Sequence, residues 1–243
     1  MDRYIVELER ALLRGEAIDL APGALVASGV ATRQALDRYL EAIEYLSRQM
    51  GEGIRKNASD ITKGRAIFER LWVSRPLRYE PQGRFRLTDV LDAQVGTGDR
   101  VGNCLGLTVL YNVLAQPLGL KVRAAYLERA FGRGPHTFSV LEVGKRTVDI
   151  ENILTDGFDC RAHRRAVGRI EWGDREIIAD IYHSIGSESA ASGDWAGAIE
   201  SYDKSLALNP HYNRARLNKG IALMESGRPD EAAEWLRSPD RRV

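Results

Sequence analysis

The chain has 243 residues, of which 44% are hydrophobic, so it holds enough apolar material for one good core or two small ones. Its 35 Lys and Arg residues nearly cancel its 34 Asp and Glu residues, and the net charge of +1 gives no general attraction to nucleic acid or to an acidic membrane surface. Two cysteines are too few for a disulfide framework and fit a reducing compartment.

The sequence predicts neither a signal peptide nor a membrane span. Its first ten residues are acidic and amphipathic, whereas a signal peptide needs a basic region followed by an apolar one. No run of about 18 apolar residues occurs, and a helix that crosses a bilayer needs such a run. We therefore expect a cytoplasmic protein that binds neither membrane nor nucleic acid.

The first part of the chain is predicted to be helical. Apolar residues recur at helical spacing with charged residues between them, and Pro76 ends one of these segments. The predicted helices are residues 3–14, 33–50, 59–75 and 87–95, with a joint at residues 21–24.

The middle of the chain predicts a buried helix followed by a small antiparallel sheet. Residues 105–115 are apolar on nearly every face, which is typical of a helix inside a domain. Strands are predicted at 120–127, 137–143 and 146–150. Gly144 and Lys145 form a credible two-residue hairpin turn between the last two.

The C-terminal part resembles tetratricopeptide repeats. Tyr182, Gly186, Ala198, Tyr202 and Pro210 stand at the positions expected for one repeat. A second copy follows 34 residues later, which is the period of this repeat, with Gly220, Gly227 and Ala232 matching Gly186, Gly193 and Ala198. The resemblance implies a helical module, with repeats at 179–212 and 213–243, that binds a protein or peptide partner or substrate.

Three residues in the middle of the chain could form a cysteine nucleophile with its base. Cys104 follows Gly102-Asn103 where a helix is expected to begin, and a helix N-terminus favours a thiolate. His136 could take the thiol proton, and Asp149 could fix the imidazole tautomer. With a simple hairpin register Asp149 faces Val140, so this triad requires a bulge or a longer loop. Glu151 is the alternative orienting group.

Residues 60–155 resemble a transglutaminase-like domain. The matching features, in chain order, are an aromatic helix (Phe68, Trp72), the pair Arg78-Tyr79, Gly102-Asn103-Cys104, the segment 118–123, His136 at a strand start and Val148-Asp149 on the last strand. The resemblance implies that Cys104, His136 and Asp149 act as nucleophile, base and orienting group. It also implies amide hydrolysis or acyl transfer through an acyl-thioester. Thr137-Phe138 departs from the small residue and Trp that often follow the family's His, which leaves the substrate class open.

The predicted fold class is α+β, with a papain- or transglutaminase-like core. In it, the helix that carries the cysteine packs on a small antiparallel sheet. Residues 1–58 form an N-terminal helical segment, 59–175 the transglutaminase-like domain and 176–243 the two helical repeats. The alternative function is an inactive scaffold that binds proteins through its repeats.

Several other residues are given less specific roles by the sequence. The N–H of Cys104 is a natural oxyanion donor, and Gln94, Asn103 and Trp72 are candidates for a second one. Cys160 and His163 make half of a metal site, and with no second pair in the sequence we interpret them as surface residues. The arginines at 161, 164, 165 and 169 are interpreted as a solvated face. No metal and no cofactor is predicted.

Overall fold

A computed structural model describes residues 2–132 and 134–237. Over these residues the chain forms helices, then a small sheet, then helices again. The helices are α1 (Arg3–Leu13), α2 (Leu20–Ala27), α3 (Arg33–Gly51), α4 (Asp60–Ser74), α5 (Leu87–Val95), α6 (Cys104–Ala115), α7 (Asp174–Ala191), α8 (Trp195–Leu208), α9 (Asn213–Glu225) and α10 (Pro229–Leu236), and the strands are β1 (Val122–Leu127), β2 (His136–Val143), β3 (Arg146–Ile150) and β4 (Ile170–Trp172).

The helix α6 lies at the centre of the main hydrophobic core, as its apolar sequence predicts. All of its residues after Cys104 are buried. The Asn103 side chain accepts a hydrogen bond from the Gly106 N–H at 3.0 Å, which caps the free N–H groups of the first turn. The Tyr111 hydroxyl donates to the Gly64 carbonyl at 3.0 Å and ties α6 to α4.

The sheet is antiparallel, with strand order β3-β2-β1-β4. Val143 pairs with Arg146 and Val140 with Asp149, so the hairpin has the simple register that a Gly144-Lys145 turn predicts, without a bulge. Gly144 has φ of 60°, a left-handed conformation that glycine adopts without strain.

Two elements differ from the sequence prediction. Residues 21–24, interpreted as a joint, lie inside helix α2, because Pro22 falls in its first turn, where a missing N–H costs no helical hydrogen bond. The edge strand β4 was not predicted, because a three-residue strand carries too little alternation to be recognised.

Helices α7 to α10 form two antiparallel pairs, and glycines sit where the helices approach closely. A Cβ atom at Gly186 would lie 2.6 Å from the Tyr202 ring, and one at Gly220 would lie 2.6 Å from the Leu236 side chain. The same close approach therefore recurs after 34 residues, as the repeat pattern predicts.

The repeats are attached to the N-terminal helices. The Tyr182 hydroxyl donates to Glu9 at 2.8 Å, and the Lys204 ammonium lies 3.1 Å from the same carboxylate. The main core draws side chains from α1 through α9. Over the described ranges, no helix is long and apolar enough to cross a membrane.

Candidate functional site

Cys104 is the first residue of α6, and the backbone before it is held in place from two sides. Asn103 donates its N–H to the Arg84 carbonyl at 2.9 Å, and Val101 donates to the Arg78 carbonyl at 2.9 Å. A Cβ atom at Gly102 would lie 2.6 Å from the Arg84 oxygen, so glycine permits this close approach. As the first helical residue, Cys104 has an N–H with no helical partner four residues back.

The half-buried Cys104 opens into a cavity of about 450 Å³. Most of the cavity wall is aromatic or aliphatic, and His136 contributes to the wall beside Cys104. The lining residues are Tyr79, Pro81, Cys104, Ala130, Phe131, Gly134, Pro135, His136, Ile153 and Leu154. A cavity of this size with a thiol and an imidazole at its wall fits a small ligand or the side chain of a peptide.

His136 is buried at the start of β2, beside the carboxylate of Glu151 and the thiol of Cys104. Its Nε2 lies 2.6 Å from Glu151 Oε2, where the ring nitrogen donates to the carboxylate. Burial by itself lowers the pKa of His136, but hydrogen bonds to Cys104 and Glu151 outweigh it and raise the pKa from 6.5 to about 9. Because Nε2 is engaged by Glu151, Nδ1 is the nitrogen left for the thiol.

Glu151 holds its charge although it is 1% exposed. Burial raises the pKa of this carboxyl, but the hydrogen bond from His136 and the nearby His163 imidazole outweigh burial and leave the pKa below its usual value. Continuing the hairpin register beyond Ile150 places Glu151 opposite Phe138, which is two residues along β2 from His136. Diagonal neighbours at this distance are within reach of long side chains.

The structure does not bring Asp149 to His136, and this corrects the predicted triad. Asp149 faces Val140, and its two oxygens accept hydrogen bonds from the Arg169 guanidinium at 2.6 and 2.9 Å. The predicted bulge is absent from this hairpin, and the carboxylate that contacts His136 is that of Glu151. Arg169 is correspondingly not part of a solvated face, since its side chain is 13% exposed.

His163 lies beside His136 and Glu151, a position that the sequence did not predict. It was interpreted as a surface residue, but it is 7% exposed, and its Nε2 lies 3.5 Å from Glu151 Oε2. Phe131 makes edge contacts with the rings of both histidines, with centroids 5.4 Å from His136 and 4.6 Å from His163. Only the fold brings His163 to this place, because the long connection between β3 and β4 carries it there.

The candidates for a second oxyanion donor lie elsewhere. The Gln94 amide donates to the Ser74 hydroxyl at 3.0 Å, and the Asn103 side chain caps α6. Neither these two residues nor Trp72 lines the cavity. The N–H of Cys104 is therefore the oxyanion donor that the geometry supports best.

Residues 185–239 match the family model of the tetratricopeptide repeat. No solved structure matches the chain. The protein thus combines helices and a small antiparallel sheet with a C-terminal tetratricopeptide-repeat region, and such repeats generally mediate protein–protein interactions.

Proposed function

We propose that this protein is a cysteine-dependent amide-processing enzyme of transglutaminase-like type. In this proposal Cys104 is the nucleophile, His136 the general base and Glu151 the group that orients the imidazole. The carrying observation is that a buried imidazole, hydrogen-bonded to Glu151 at 2.6 Å, lines the same cavity as Cys104, whose thiol helps to raise the pKa of that imidazole. The tetratricopeptide repeats would bring the protein or peptide that is processed.

The reaction follows from the positions of these groups. Because the pKa of His136 is raised to about 9, its imidazole carries the thiol proton at neutral pH, and the Cys104 thiolate attacks the carbonyl carbon of the substrate. The oxyanion that forms is stabilised by the N–H of Cys104 at the start of α6. The carbon–nitrogen bond then breaks, and the proton on His136 passes to the leaving amine. An acyl-thioester on Cys104 remains.

Water resolves the acyl-thioester more simply than an amine does, because none of the described residues that line the cavity has an acidic side chain to bind an amine. His136 takes a proton from the attacking water, and the thioester bond breaks to give a carboxylic acid and the Cys104 thiol. Glu151 acts throughout by holding the imidazole orientation and stabilising its positive charge, as the carboxylate does in serine proteases. Hydrolysis is therefore the favoured outcome over acyl transfer.

A second candidate function is a non-catalytic scaffold. The family match covers the repeats alone, and protein binding is what such repeats commonly do. In a scaffold the Cys104–His136 contact would be a structural remnant, and blocking the thiol would leave partner binding unchanged.

A generic activated ester separates the two candidates without knowledge of the natural substrate. We expect p-nitrophenyl acetate to give a rapid release of nitrophenol and an acetyl group on Cys104, which mass spectrometry of the digested protein would locate. Cys160 is the internal control, because it is also a half-buried cysteine outside any disulfide. Its N–H donates to the Asp149 carbonyl, and it does not line the cavity at Cys104. Equal acetylation of the two cysteines, unchanged in His136→Ala, would favour the scaffold.

A further inference from the structure

We propose that His136, Glu151 and His163 bind a zinc ion, and that the bound ion switches off the thiol of Cys104. Each residue offers one ligand atom, and these atoms all lie within 4.8 Å of one another. All three side chains are buried. Two imidazoles and one carboxylate are a ligand set that zinc accepts, with a fourth position left for water.

Two atoms in this cluster lack the partners that buried polar groups normally have. Among the described residues, neither Nε2 of His163 nor Oε1 of Glu151 has a hydrogen-bond partner. A buried polar atom without a partner costs about 1–3 kcal/mol. A cation held between Glu151 Oε2 and His163 Nε2 would give the orphaned imidazole nitrogen a partner.

One donor distance in this cluster is already close to that around a tetrahedral zinc ion. With bonds of about 2.0–2.1 Å, neighbouring ligand atoms around zinc lie about 3.3 Å apart. Glu151 Oε2 and His163 Nε2 are 3.5 Å apart, close to that value. His136 Nε2 and Glu151 Oε2 are 2.6 Å apart and share a proton, so the ion must displace this proton and separate the two atoms slightly.

The charges around the cluster permit a cation. Glu151 is the carboxylate in contact with both imidazoles. The nearby Arg169 does not oppose a cation strongly, because its guanidinium is already paired with Asp149 and Glu171. Imidazole nitrogen favours zinc over magnesium or calcium, which prefer oxygen ligands.

Metal binding and base catalysis exclude each other at His136. With zinc on Nε2, the neutral ring carries its single proton on Nδ1, the nitrogen left for Cys104. The ring then cannot accept the thiol proton, so the thiol loses its base. This consequence rests on the proposed cysteine chemistry, whereas the metal site itself does not.

Zinc binding to the full chain, stripped of metal with a chelator, tests the site by calorimetry without any activity. We expect one zinc per chain, and His163→Gln should weaken binding by more than about tenfold, since even losing a residue that supports a ligand costs that much. His163→Cys, which restores a zinc ligand, should recover binding. The exposed His211 gives the matched control, because His211→Gln should bind zinc as the wild type does.

Alkylation of Cys104 tests the consequence. Zinc should slow alkylation in the wild type and in His211→Gln, and should leave the rate in His163→Gln unchanged at the same concentration. Equal zinc affinity in the wild type and His163→Gln would overturn the site. Tight binding that leaves the alkylation rate unchanged would overturn the switch and keep the site.

Discussion

Gly106 lies in the first turn of α6, two residues after Cys104, and substituting it tests how tightly the start of this helix is held. A Cβ atom there would lie 2.5 Å from the Arg84 carbonyl oxygen, 2.7 Å from Val90 Cγ2 and 3.1 Å from Phe85 Cα. Two of these atoms are backbone and cannot swing aside. The same Arg84 oxygen accepts the Asn103 N–H at 2.9 Å.

The expected cost of Gly106→Ala is the balance of three effects. Helix propensity favours alanine over glycine by about 1 kcal/mol in a helix interior. Overpacking against fixed atoms costs about 1–3 kcal/mol. Moving the Arg84 carbonyl away weakens its bond to Asn103, which is worth about 1 kcal/mol. We therefore expect a net loss of about 1–3 kcal/mol in the free energy of unfolding.

Urea unfolding followed by circular dichroism measures this difference. Gly98→Ala is the matched control, because a Cβ atom at Gly98 meets nothing within 4 Å and its φ is not left-handed, so its stability should change little or rise. If Gly106→Ala were as stable as the wild type or more stable, helix propensity would outweigh the contact with Arg84, and the packing described for the start of α6 would be wrong.

Three further predictions concern the core, the Asp149 pair and the repeats. Leu110→Ala should lower the free energy of unfolding, measured in urea, by about 2–5 kcal/mol, because Leu110 is fully buried in α6. A change near zero would show that α6 is not part of the hydrophobic core. Arg169→Met should cost about 3–5 kcal/mol, because it leaves the buried Asp149 carboxylate without its main partner; an unchanged melting temperature would refute that pairing. Residues 176–243 expressed alone should lack a cooperative thermal transition, because two repeats have too few neighbours; a sharp helical melt would contradict this.

Local patterns in the sequence were sufficient to predict much of the fold. The helix after Cys104 was predicted by its nearly continuous apolar run, and the β2–β3 register by the Gly144-Lys145 turn. In both cases the signal lies within a few neighbouring residues. Helix α2 was missed because Pro22 and Gly23 indicate a turn, although Pro22 is tolerated in a first helical turn.

The candidate site was predicted in part, and its errors have physical causes. The simple hairpin register predicts that Asp149 pairs with Val140, away from His136. The family resemblance instead predicts that Asp149 contacts His136, which requires a bulge, but the hairpin has no bulge. His163 could not be found from the sequence, because it lies in an irregular connection whose path only tertiary packing determines. A buried histidine there has no periodic pattern to mark it.

The reactivity of Cys104 tests the central claim most directly. We would measure its alkylation by iodoacetamide at neutral pH with a chelator present, using Cys160 in the same chain as the reference. Cys104 should react faster than Cys160 in the wild type and in Asp149→Asn, and should slow markedly in His136→Ala and in Glu151→Gln. If Cys104 reacted no faster than Cys160, or if Asp149→Asn slowed it and Glu151→Gln did not, the proposed Cys104–His136–Glu151 arrangement would be contradicted.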